Sequence, residues 1–159
     1  MNNELANGAI ESFLSPLQPK FWGVLSIDQL DPLISKAQQA KAFSVIVNLS
    51  PSSMKGSHFV TILCKNHHSI YYLDSLALPP QLHPLIWRFI LCCKRKILHQ
   101  LASPIQNVMS SACGYFCIFF VLYFSRPRRQ TTPLSFLASP SLENDTICKC
   151  LIHNLIKKH

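Results

Sequence analysis

Four side chains in this sequence offer more chemistry than packing requires: His58, Asp74, Gln106 and Cys113. Cys113 stands just ahead of the apolar run 115–124. If that run is a helix, the unpaired N–H groups and positive dipole end at its start favour a thiolate. His58 opens the apolar run 58–64, and Asp74 closes the run 69–73. On adjacent strands the two would lie side by side, the carboxylate holding the imidazole in one tautomer. Gln106 supplies a side-chain N–H that, with the Cys113 backbone N–H, would receive an oxyanion, and Gly114 keeps the neighbouring backbone narrow for a substrate carbonyl. A thiolate, a base, a group orienting that base and donors for an oxyanion are what thiol-based acyl transfer needs. Each residue alone has an ordinary explanation. Cysteines in apolar segments mostly fill cores, as Cys64, Cys117, Cys148 and Cys150 are read here, and a strand-end His or a turn Asp is commonplace. Only the set points to chemistry.

The elements that must position these residues follow from pattern. Residues 43–49 (FSVIVNL) are β-branched and apolar, a strand by length and content. Residues 58–64 and 69–73, joined by Lys65-Asn66-His67-His68, read as a hairpin. Apolar residues from Leu85 to Leu101 recur at helical spacing, predicting a helix over 84–100 with Pro84 in its first turn. Residues 105–109 are a short strand candidate, 112–124 a helix buried in the domain centre, and 145–158 an amphipathic C-terminal helix. A short helix over 4–14 is followed by an irregular stretch to about residue 40. The expected architecture is α+β: a small, mostly antiparallel sheet flanked by helices, with Cys113 at the start of a buried central helix.

With 159 residues, the chain predicts a single domain over 1–159. Hydrophobic residues at 48% against 14% charged supply a full core, so disorder is not expected beyond the first residues and the stretch 125–133. No secretion signal is expected at Met1-Asn2-Asn3-Glu4, and the longest apolar run is about half the ~20 residues that span a bilayer. Seven cysteines without such a signal imply mostly free thiols, and their spacing makes no zinc site. The net charge of +8 favours a polyanion partner, with clusters at Lys94-Arg95-Lys96, Arg126-Pro127-Arg128-Arg129 and Lys157-Lys158.

The spacing Gly56-Ser57-His58, Asp74 sixteen residues on, Gln106 seven before Cys113, and the phrase Ser110-Ser111-Ala112-Cys113-Gly114-Tyr115-Phe116-Cys117 together resemble the adenovirus cysteine endopeptidase (adenain) family. That family includes proteases of adenovirus-like viruses and large DNA transposons. Phe21-Trp22-Gly23-Val24 and Val45-Ile46-Val47-Asn48 extend the likeness over roughly residues 21–124. Phe59 stands where the family usually has Trp, and Asp74 where adenain has Glu. The resemblance implies a cysteine endopeptidase with Cys113 as nucleophile, His58 as base, Asp74 as its orienting partner and Gln106 in the oxyanion hole. It further implies capsid and core precursors as substrates, cut at Gly-containing sites during virion maturation in the host nucleus and virion. It implies no metal or small-molecule cofactor, no membrane and a monomer. Non-specific DNA is an implied activator, with Arg126, Arg128 and Arg129 as contacts, and a viral peptide disulfide-linked at Cys93 is another. Two alternatives remain open: an isopeptidase that deconjugates ubiquitin-like proteins or SUMO, and a catalytically inactive DNA-binding relative.

Overall fold

The computed structural model describes residues 6–124 and 141–158. Five strands form one sheet in sequential order: β1 (Phe21–Ser26), β2 (Phe43–Asn48), β3 (Phe59–Cys64), β4 (Ser69–Leu73) and β5 (Ile97–Gln100). The helices are α1 (Asn7–Leu17), α2 (Ile34–Gln39), α3 (Pro84–Cys92), α4 (Cys113–Phe124) and α5 (Leu142–Ile156). The α+β expectation holds, with a correction to the sheet. β2, β3 and β4 pair antiparallel, but both outer pairs, β1 with β2 and β4 with β5, are parallel. A parallel pair needs a crossover, and α2 and α3 supply the two.

Helices cover both faces of the sheet, so every residue of β2 and β3 is buried. Alternation divides the side chains between two cores. Ile46, Phe59, Leu63 and Leu73 face α1, α4 and α5, where Ile10, Leu14, Phe116, Phe120, Cys148 and Ile152 pack. Val45, Val47, Val60, Ile62, Ile70 and Tyr72 face the crossover helices, against Ala37, Ile86, Phe89 and Ile90. α4 is buried nearly all round, from Cys113 through Val121. That environment is the one its unbroken apolar sequence requires.

Three segments differ from the sequence reading. β1 forms within the stretch read as irregular, with Gly23 at φ 116° where the register to β2 shifts. Any side chain is strained at that φ, and one there would also push aside the Glu11 carboxylate, whose Oε1 lies 2.7 Å from the added Cβ. The helix read over 84–100 ends at Cys92, because Lys94 takes the left-handed conformation (φ 52°) and its N–H bonds back to Leu91. Residues 97–100 then join the sheet. Residues 105–109 form no strand, since their backbone groups bond to Ser75 and to α5.

Candidate active site

The β3–β4 register pairs Thr61 with Leu73 and, continued one step, sets Asp74 opposite Val60. His58, two residues before Val60 on the same face, is then the diagonal neighbour of Asp74. Its Nε2 lies 2.7 Å from Asp74 Oδ1, the imidazole N–H donating to the carboxylate. The Leu76 N–H donates to the same oxygen at 2.8 Å, so Asp74 is fixed by the turn that ends its own strand. His58 enters β3 from a tightly held loop. Its carbonyl accepts the Leu49 N–H, and a Cβ on Gly56 would run into the Asn48 side-chain amide, so a larger residue there must displace that amide.

Cys113, at the first turn of α4, lines the same cleft as His58 and helps to hold its imidazole charged. Because Nε2 is engaged by Asp74, the ring nitrogen left for the thiol is Nδ1. Burial alone would disfavour a charged imidazole. The hydrogen bonds to Asp74 and Cys113, reinforced by their negative charges, outweigh it and push the His58 pKa from 6.5 up to about 9. His58 is therefore held as the imidazolium at neutral pH, beside the Cys113 side chain. His58 retains 14% side-chain exposure while Asp74 retains 1%: the imidazole opens to the cleft and the carboxylate behind it does not.

Gln106 is buried, and its side chain is held at both ends. Ser75 Oγ donates to its Oε1 at 2.5 Å, and its Nε2 donates to the Ser110 carbonyl at 2.8 Å. An amide nitrogen carries two N–H groups, so one remains for a substrate oxygen. The structure thus brings all four sequence-predicted residues together. His58, Gln106 and Cys113 line one cleft of about 420 Å³ with Ser57, Leu76, Val108, Met109, Ser110 and Ser111, and Asp74 stands behind His58. The sequence reading missed Ser75, whose contact with Gln106 spans 31 residues and leaves no local trace.

The other assigned positions fare differently. Cys93 lies in the core at 1% exposure, and burial pushes its thiol up to about 12. An unreactive thiol in such a place is poorly suited to exchange disulfides. Arg126, Arg128 and Arg129 lie outside the described residues. In the Lys94-Arg95-Lys96 cluster, Arg95 turns inward to donate to the carbonyls of Ala37 and Ala40.

No family model matches this chain, and no curated protein matches it. Solved structures do. ChlaDub1 from Chlamydia trachomatis overlays with a TM-score of 0.65 at 12% identity, covering 97% of this chain and 91% of that one. The Chlamydia trachomatis effector Cdu1, solved bound to ubiquitin, gives 0.65 at 13% identity, with 98% and 93% covered. The ASFV pS273R protease gives 0.50 at 16%, covering 91% of this chain and 66% of that one. The chain shares its fold with these three structures. At these identities the likeness speaks for the fold, and the chemistry rests on the cleft.

Proposed function

We propose that this protein is a cysteine peptidase that cuts protein substrates after glycine, with Cys113 as nucleophile. The observation that carries the proposal is the His58–Asp74 contact of 2.7 Å behind a cleft that also holds Cys113 and Gln106. Cys113 Sγ attacks the scissile carbonyl carbon. The oxygen, now negative, takes hydrogen bonds from Gln106 Nε2 and the Cys113 backbone N–H. The imidazolium of His58 gives its proton to the departing amine as the C–N bond breaks, leaving a thioester on Cys113. His58, now neutral, takes a proton from water, which attacks the thioester and frees the acid and the thiolate. Asp74 holds the ring throughout.

The glycine preference comes from the sequence resemblance, and a cleft lined by Leu76, Val108 and Met109 beside Cys113 supports it by favouring a residue without a side chain at the scissile position. The resemblance in sequence favours capsid and core precursors of a virus or virus-like element, with DNA as a stimulating polyanion. The fold likeness to an effector solved with ubiquitin favours a second reading, removal of ubiquitin-like tails, which also end in glycine. One experiment separates them. Cleavage of short Gly-Gly peptides is compared with release of a fluorophore from a ubiquitin-like conjugate. Precursor processing predicts that peptides alone suffice; deconjugation predicts that only the folded conjugate is turned over efficiently. Turnover of neither would sink both readings.

A further inference from the structure

Gln106 sits on no helix or strand; the chain from Leu101 to Ala112 is irregular. Its placement must come from elsewhere. On one side the Ser75 carbonyl accepts the N–H groups of Ile105 (2.9 Å) and Gln106 (3.0 Å). On the other side stands the first turn of α5. Asn144 Nδ2 donates to the Ile105 carbonyl at 3.0 Å, and Asp145 Oδ1 accepts the Asn107 N–H at 3.3 Å. Both side chains are buried, at 4% and 3% exposure. The backbone groups on either side of Gln106 are thus bonded to adjacent residues 39 and 38 positions away.

The same helix is tied to the nucleophile. Ser141 Oγ accepts the Asn144 N–H and fixes the first turn of α5. Farther along, Cys148 and Ile152 pack into the core that holds α4, and Tyr115 Oη lies 2.7 Å from His153 Nε2. Cys113 at the start of α4 and Gln106 in its loop are therefore referenced to each other through α5. Oxyanion donors act only when their geometry is set in advance, and a misplacement of about 1 Å costs up to ~10²-fold in rate.

We infer that Asn144 and Asp145 are positioning residues that hold Gln106 at the correct distance from Cys113. The inference rests on the reading of Gln106 as an oxyanion donor. The test uses Asn144→Asp, which removes the donor while placing a carboxylate where a helix start favours one, Asp145→Leu, which removes the acceptor, and Asp145→Asn, which keeps it. Each is made in the wild-type and Gln106→Ala backgrounds. Expected is a fall in kcat of roughly 10- to 100-fold with KM unchanged for the first two and near-normal turnover for Asp145→Asn. In the Gln106→Ala background neither should cause a further loss. The Gln106 side-chain amide signal in an NMR spectrum should shift in Asn144→Asp. Equal losses in both backgrounds, or an unmoved Gln106 signal, would overturn the inference. If Asp145→Leu fails to fold, Asn144→Asp decides. Should the wild type cleave nothing, the proposed function fails, and the NMR arm still decides whether the clamp exists.

Discussion

The two ends of the β3–β4 pair each place cysteine beside a cationic side chain, with opposite results. At one end His58 and Asp74 meet Cys113, and the imidazole is driven up to about pKa 9. At the other, Cys64 and Cys93 lie near Arg95. There burial raises the Cys64 thiol more than Arg95 lowers it, and burial pushes Cys93 to about 12. Two physical differences separate the ends. Arg95 is committed to the carbonyls of Ala37 and Ala40 and cannot give up its proton, so it serves neither as acid nor base. Cys113 also opens onto a cleft that His58 lines, whereas Cys93 belongs to a packed core and the cavity lined by Cys64 has no imidazole or carboxylate in its wall. A thiol beside a positive charge is not yet a nucleophile; it needs access and a titrating partner.

The sharpest way to break the contrast is to delete a thiol at each end. Cys113→Ala should lower cleavage by at least about 10³-fold with folding intact, since nucleophile and base act as a unit. Cys93→Ala should leave turnover unchanged and cost about 1 kcal/mol of stability, read from chemical denaturation. Equal effects on activity would erase the distinction. Next in size, Gln106→Ala should reduce kcat by roughly 10²–10³-fold with KM little changed. A loss confined to KM would make Gln106 a substrate contact instead.

Asp74→Asn should act through pH. The carboxylate helps hold the His58 pKa above its ordinary value, so removing its charge lowers that pKa. The alkaline limb of the rate profile, near pH 9 in the wild type, should move down toward neutrality. Stability has the same sign. The contribution from the raised His58 pKa is complete below about 6.5 and lost as pH rises through about 9, and Asp74→Asn should flatten that decline. An alkaline limb that stays in place would separate Asp74 from the base. The smallest effect belongs to the far end. Arg95→Met should destabilise by about 1–2 kcal/mol through the abandoned Ala37 and Ala40 carbonyls, without altering kcat.

The site was legible in the sequence because its residues interrupt strong local patterns. His58 and Asp74 bound two short apolar strands, and Cys113 begins a helix that no charged residue breaks. What stayed hidden depends on conformations or partners that leave no local mark. The apolar spacing of α3 continues through Ile97, so nothing announces that Lys94 adopts a positive φ and turns the chain into β5. β1 is disguised by the bulge at Gly23. The loop carrying Gln106 resembles a strand in composition, yet Ser75, Asn144 and Asp145 claim its hydrogen bonds from distant positions.

The central claim is that His58 makes Cys113 a nucleophile, and alkylation at pH 6.5 tests it most directly. At that pH ordinary thiols, with pKa values near ~8.5, are almost wholly protonated and slow to react. Brief treatment with iodoacetamide, followed by peptide mapping, should show Cys113 modified first in the wild type. The same treatment of His58→Ala should leave Cys113 unmodified, while labelling of the exposed Cys150 is unchanged. Labelling of Cys113 at the same rate with and without His58 would contradict that claim.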